Sequence, residues 1–113
     1  MSRYNGGPGT GGGGGGISAV WTVATEATAA RAAADGEFVL VNAATCIVTL
    51  PAPTAGGRVG CKVITGTVTS IEIRTSGAGV TIDGGDYSAT GLALASQYEQ
   101  INLISDGTDW FIY

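Results

Sequence analysis

Short runs of apolar residues, alternating with polar ones or continuous, fill the chain from residue 37 to residue 113. In RVGCKVIT (58–65), Val59, Cys61 and Val63 fall on one face of an extended segment. A period of two over four to eight residues predicts half-buried β-strands. By the same pattern we predict strands at 37–42, 46–51, 70–75, 80–83, 92–94, 98–105 and 110–113.

Turn residues separate these runs every eight to twelve positions. The sequence DGTD (106–109), for example, predicts a hairpin loop, because Asp and Gly adopt tight-turn conformations readily. Many short strands with regular turns indicate an all-β fold, and we predict a small antiparallel β-sandwich or barrel, jelly-roll-like.

The segment 24–35 is ambiguous. Its alanines favour helix, but the run is short, so we interpret it as extended or irregular, with one helical turn as the alternative.

Glycine dominates the segment YNGGPGTGGGGGG (4–16). Glycine loses the most conformational freedom on ordering and offers no side chain to bury, so we divide the chain into a flexible N-terminal arm, 1–16, and a single β-domain, 17–113. Arg3 and Tyr4 are the large groups ahead of the glycines, and Pro8 stiffens one point. A phosphate-binding loop is excluded, because no strand, helix or lysine stands at the required spacing.

Charged residues are few, and this affects what we expect of the protein surface. Only 12% of residues are charged, against about 25% in ordinary soluble domains, and the net charge is −4. We therefore expect much of the surface to lie against partner subunits. The five basic residues are scattered, which argues against nucleic-acid binding. No run of 18 apolar residues and no secretory signal is present, so we expect synthesis in the cytoplasm and no membrane span.

Candidate catalytic chemistry is scarce. The chain has no histidine, so histidine-based triads and dyads are excluded. Asp83 with Asp86, and Asp106 with Asp109, are the closest carboxylate pairs, and each pair flanks glycine. We interpret them as turn residues, with a calcium site as the alternative. We predict no catalytic residue, no cofactor and no metal site.

Two cysteines, Cys46 and Cys61, lie among Val and Ile. The preferred interpretation is two buried free thiols; a disulfide needs export, and a metal pair lacks further ligands. The large aromatic residues of the domain are expected in the core or at a subunit interface, with a carbohydrate-stacking platform as the alternative: they are Trp21, Tyr87, Tyr98, Trp110 and Tyr113.

Five motifs stand in order along the domain: FVLVN, IVTLP, GRVGCKVIT, GVTIDGG and QINLISDGTDWFIY. Together they resemble a small β-domain common in the structural proteins of tailed bacteriophages, namely head fibres, capsid decoration proteins and tail-fibre segments. The resemblance covers roughly residues 35–113. Its motifs consist of packing and turn residues, so it implies no catalytic or ligand-binding positions.

The resemblance implies a homotrimeric virion protein without a cofactor. We expect a capsid decoration (cement) or head-fibre protein that binds the major capsid protein on the outside of the head. Its arm would engage neighbouring capsid subunits, with Arg3, Tyr4, Pro8 and Trp21 as contact residues. The alternative is a tail-fibre or adhesion module that binds host-surface glycans.

Overall fold

The computed structural model describes residues 21–113, which form eleven β-strands. Within this part of the chain no residue is helical, and no helix could cross a membrane. The strands are β1 Thr22–Glu26, β2 Ala30–Ala32, β3 Glu37–Val41, β4 Thr45–Thr49, β5 Ala55–Val63, β6 Ser70–Arg74, β7 Thr81–Ile82, β8 Gly85–Asp86, β9 Leu92–Leu94, β10 Gln100–Asp106 and β11 Trp110–Ile112.

The first six strands alternate between two sheets. One sheet has seven strands in the order β1-β3-β5-β10-β11-β7-β8, and the other has four in the order β2-β4-β6-β9. Residues 42–44 form the whole link between β3 and β4. Packed sheets lie about 10 Å apart, and three extended residues span about that distance, so the short link carries the chain to the opposite sheet.

This winding makes sequence-alternate strands parallel neighbours. β1 pairs in parallel with β3, β3 with β5, β2 with β4 and β4 with β6. Antiparallel pairs occur later in the chain, where β10 joins β5 and β11, β6 joins β9, and β7 joins β8. The predicted hairpin at residues 106–109 is therefore confirmed as the turn between β10 and β11.

The prediction of a small all-β domain of the sandwich type is confirmed by its two sheets, but the antiparallel, jelly-roll-like pairing is wrong, because both sheets are mixed. The regular spacing of turn residues is the basis of the antiparallel prediction, whereas the segments between β3 and β4 and between β5 and β6 cross between the sheets. Side-chain alternation has a period of two in parallel and antiparallel strands alike, so it does not reveal the pairing.

The core lies between the two sheets and follows the predicted alternation. Val59, Cys61 and Val63 are all buried, as are Ile71 and Ile73 on the facing sheet. Burial of each such side chain contributes about 1.5–3 kcal/mol. The remaining large buried side chains are Val39, Val41, Val48, Leu50, Ile82, Leu94, Ile101, Leu103 and Trp110.

The ambiguous segment 24–35 is extended, as preferred, and the helical-turn alternative is wrong. Ala30–Ala32 pairs in parallel with Ile47–Thr49 of β4. Ladder hydrogen bonds and the burial of Ala33 outweigh the intrinsic preference of alanine for helix in so short a run.

Charged residues close the core at the end formed by β1 and β2. Arg31 forms an ion pair with Glu37 and a second one with Glu26, at 3.3 Å between Nη1 and Oε1. Register places Arg31 beside buried Val48, and Glu26 beside buried Val41, so the cluster lies between the sheets. The hydroxyl of Thr28, which donates to Glu26, and Arg31 both lower the pKa of the Glu26 carboxyl.

Candidate interaction surface

The outward faces of the two sheets differ in chemistry. On the four-stranded sheet most outward side chains are small or polar, such as Thr45, Ser70 and Ala93, and Ile47 is the large apolar one among them. Glu72 on this face accepts hydrogen bonds from Arg74, at 2.9 Å, and from the backbone N–H of Gly91, at 3.0 Å. These bonds lower the pKa of the Glu72 carboxyl, with the Gly91 N–H as the larger cause. A sheet face of this kind is suited to water.

The outward face of the seven-stranded sheet carries large apolar side chains beside polar ones, since Arg58, Lys62, Gln100 and Asn102 of the middle strands point the same way. Cross-strand partners share a face, so the register aligns Val23 with Phe38, and Ile104 with Phe111, on the side opposite the core. We call this surface the apolar face; it consists of Trp21, Val23, Phe38, Leu40, Ile104, Phe111 and Tyr113.

Several of these side chains are well exposed. Val23 is 63% exposed, Tyr113 57% and Phe111 40%, although they stand among the most apolar residues of the chain. Tyr113 continues β11 opposite Asn102, to whose carbonyl its backbone N–H donates at 3.0 Å. Exposed apolar residues gathered on one sheet face mark interaction surfaces in soluble proteins.

An aromatic cluster fixes one half of the apolar face. The rings of Trp21 and Phe38 meet edge to face, with centroids 5.3 Å apart and planes at 89°. The Phe38 ring lies over Gly60 of β5, where any Cβ atom would overlap it. The guanidinium of Arg58 stands 5.4 Å from the centre of the Trp21 ring. Gly60 therefore keeps the surface flat at this point.

Two cations belong to the same surface. Arg58 packs against Trp21, and the Lys62 ammonium lies 5.9 Å from the ring centre of Tyr98. Among the four basic residues of the described chain, Arg31 and Arg74 form ion pairs, whereas Arg58 and Lys62 have no carboxylate within ion-pair distance in residues 21–113. The apolar face is thus locally positive on an acidic molecule.

Tyr98 borders the apolar face in an uncommon backbone conformation. Its φ angle is +70°, in the left-handed region that non-glycine residues seldom adopt. Its N–H donates to the carbonyl of Val63 at 2.6 Å, and its ring is 64% exposed. Holding a large aromatic ring in water at such a position costs free energy, which is typical of residues with a role in binding.

Of the contact residues predicted from the sequence, Trp21 is the one that the structure describes. It is half-buried and belongs to the apolar face. Arg3, Tyr4 and Pro8, with the whole predicted arm, lie outside the described residues. The other aromatic residues divide: Trp110 is fully buried and Tyr87 packs against the core, whereas Tyr98 and Tyr113 are exposed.

The four aspartates of the predicted turns, Asp83, Asp86, Asp106 and Asp109, each accept a backbone N–H through a carboxylate oxygen, at 2.8 to 3.1 Å. Asp83 accepts from Ile112 and Asp109 from Thr81, which are distant in sequence, whereas the bonds of Asp86 and Asp106 are the local ones that the turn interpretation predicts. They lower the pKa of Asp106, chiefly through the N–H of Asp109. In residues 21–113 no three carboxylate, thiol or imidazole groups lie close enough together to hold a metal ion.

Both cysteines are buried and unpaired, which confirms the preferred interpretation. Burial raises the pKa of Cys61 to about 12 and, with the nearby Glu26 carboxylate, raises that of Cys46 as well. Thiols that stay protonated at neutral pH are poor nucleophiles and poor metal ligands. They act as core hydrophobes.

The sequence analysis missed most of the apolar face. The sequence feature that indicates this face is the continuous apolar run of β3, in which Phe38 and Leu40 point away from the core that holds Val39 and Val41. Strands that are apolar on both sides are usually covered on both sides.

Comparison with protein-family models, with curated proteins and with solved structures gave no match to this chain.

Proposed function

We propose that this chain is a bacteriophage virion structural protein, a capsid decoration or head-fibre protein that binds the outside of the head as a homotrimer and stabilises it. The observation that carries the proposal is the apolar face on a domain whose core is complete without it. A protein that works by packing against other proteins needs such a surface.

Two features of the sequence support this function. Charge is scarce, which suits a chain that covers much of its surface in an assembly. The five ordered motifs from residue 38 to residue 113 resemble a virion β-domain. The locations that follow from the proposal are synthesis in the host cytoplasm and residence on the capsid exterior.

We further propose that Arg3 and Tyr4 anchor the chain to neighbouring capsid subunits. Arg and Tyr are enriched among residues that dominate binding energy, and the glycines that follow allow close backbone approach. Pro8 limits the conformations of this segment. Trp21 stands where the segment joins the domain.

The test is reconstitution on phage heads that lack this protein. Purified chain should cosediment with such heads to a saturating, repeated stoichiometry and raise the temperature at which they release DNA. A variant without residues 1–16, and the Arg3→Ala/Tyr4→Ala double variant, should bind at least tenfold more weakly, whereas Thr10→Ala should bind normally. Absence of saturable binding by the complete chain would refute the capsid function. Undiminished binding without residues 1–16 would refute the anchoring role alone.

A second candidate function, an adhesion module for host glycans, is favoured by one observation. The exposed Tyr98 ring stands beside Gln100 and Asn102, whose amides lie 3.3 Å apart, and sugars bind to such combinations of ring and amide. A glycan array with hits that Tyr98→Ala abolishes would favour this function over capsid binding.

A further inference from the structure

We infer that the apolar face is the surface through which copies of this chain pack against one another. In a closed ring, each copy places its apolar face against a different surface of the next copy, which we call its side. The inference deepens the proposed function, on which it rests for the biological role of the ring. It identifies both the surface and its occupant.

The two sheets of the same domain provide an internal comparison. The four-stranded sheet turns Thr45, Ser70 and the Glu72–Arg74 pair towards water. The seven-stranded sheet turns aromatic and branched apolar side chains the same way. Both faces belong to one chain in the same solvent. The difference between them therefore indicates that the apolar face is covered in the functional assembly.

The N-terminal segment is a poor candidate to cover this face. It directly precedes Trp21 and could reach the surface, but residues 4–16 consist mostly of glycine. Glycine contributes no apolar side chain to bury. Large exposed groups such as Phe111 and Tyr113 need a partner that brings its own side chains, and another copy of the domain does so.

Charge supports the same occupant. Arg58 and Lys62 leave the face locally positive, while the chain as a whole carries −4. Acidic side chains lie at the margins of the face, where Asp83 accepts the N–H of Ile112 and Asp35 accepts the backbone N–H of Arg58. The side of one copy is therefore complementary to the face of another, whereas two faces in direct contact would bring their cations together. This favours a heterologous contact, which closes into a ring.

The size of the face leads to the same geometry. Five adjacent strands about 4.8 Å apart, each contributing about five residues of 3.3 Å, give a projected surface of roughly 400 Å². A stable interface buries about 800 Å² per partner. One contact through this face is too small, but in a ring each copy makes two contacts, one with its face and one with its side.

Edge-to-edge pairing of sheets is a weaker alternative. The free edges at β1 and β2 carry Glu26 and Arg31, which point inwards and form ion pairs with each other and with Glu37. Inward-pointing charges on edge strands disfavour the addition of another strand, because the added strand would bury them further. The face remains the surface for association.

The test compares charge substitutions on the two outward faces of the full chain. Sedimentation equilibrium should show wild type as a trimer, and Val23→Lys and Phe111→Lys should shift it towards monomer, with at least a tenfold increase in dissociation constant. Thr45→Lys, on the opposite face, should remain trimeric. Far-UV circular dichroism identifies folded variants, and Arg58→Glu, which leaves the apolar groups in place, should weaken association in a salt-dependent way.

Three outcomes overturn the inference: a monomeric wild type at about 100 µM, trimers that persist in both Val23→Lys and Phe111→Lys, or equal dissociation by Thr45→Lys. A trimer that these substitutions dissociate, in a chain that does not bind phage heads, upholds the face as the subunit interface and refutes the proposed function instead. Loss of head or glycan binding by trimeric Phe111→Lys would assign the face to that other partner and overturn the inference.

Discussion

Gly60 and Phe38 should behave as an energetically coupled pair, and the coupling can be measured. Gly60 is buried in β5 beneath the Phe38 ring, and a Cβ atom there would overlap that ring. In Gly60→Ala the ring must therefore move, and its edge-to-face contact with Trp21 moves with it. We expect the substitution to destabilise the domain.

The magnitude follows from two opposing effects. Overpacking of a well-packed site costs about 1–3 kcal/mol. Replacing glycine within a strand recovers about 0.5–1 kcal/mol, because alanine loses less conformational freedom on folding. Gly60→Ala should thus cost about 0.5–2 kcal/mol in wild type. In the Phe38→Ala background the overlap with the ring disappears and a contact of 3.2 Å with Asn102 Oδ1 remains, so the same substitution should stabilise by at most about 0.5–1 kcal/mol.

The assay is urea denaturation monitored by far-UV circular dichroism, applied to wild type, both single variants and the double variant. We expect a coupling energy of about 1–3 kcal/mol between the two substitutions. Measurements at two protein concentrations tenfold apart separate folding from association. Gly77→Ala is the matched control, since nothing lies within 4 Å of a Cβ at that position. Equal effects of Gly60→Ala in the two backgrounds would refute the packing of Phe38 over Gly60.

Three further predictions concern the core and the turns. Trp110 is fully buried and its indole N–H finds no acceptor among residues 21–113, so Trp110→Phe should change the free energy of unfolding by less than about 1.5 kcal/mol, against about 3–5 kcal/mol for Trp110→Ala; similar losses in chemical denaturation would contradict the unpartnered N–H. Cys61, whose pKa is raised to about 12 by burial, should resist alkylation at pH 8 in the native protein and react readily in urea; rapid native labelling would show that the core is open. Backbone N–H groups lower the pKa of Asp106 in the folded protein. Its contribution to stability is therefore present above the pKa of the unfolded state and is lost as pH falls through the pKa of the folded state. The urea midpoint should fall less between pH 6 and pH 2.5 in Asp106→Asn than in wild type.

The strands could be predicted from the sequence because burial alternates along them. Leu92–Leu94 and Ser70–Arg74 lie where the apolar residues recur at every second position. The two-residue strand Gly85–Asp86 was missed, since its glycine and aspartate are typical of turns, and the pairing with Thr81–Ile82 alone makes it a strand. Such a short strand is recognised by its pairing with the preceding strand and not by its own residue types.

The pairing of the strands could not be predicted, because it depends on where each link leads. The link at 42–44 is short enough for a hairpin and also long enough to reach the facing sheet. The chain takes the second route, and Val39 in β3 and Cys46 in β4 are buried in one core from facing sheets. The parallel order β1-β3-β5 is then a consequence of winding around that core.

Glu37 illustrates how position, rather than residue type, determines the candidate surface. In EFVLV it shares a face with Val39 and Val41, so alternation alone places a carboxylate in the core, where Arg31 neutralises it. By the same alternation Phe38 and Leu40 point outwards, although composition alone would assign them to the core. A charge held inside and aromatic groups held outside are both costly for an isolated domain. The inward charge is balanced within the chain, whereas the outward aromatic groups would gain their compensation from the second copy that we propose covers them.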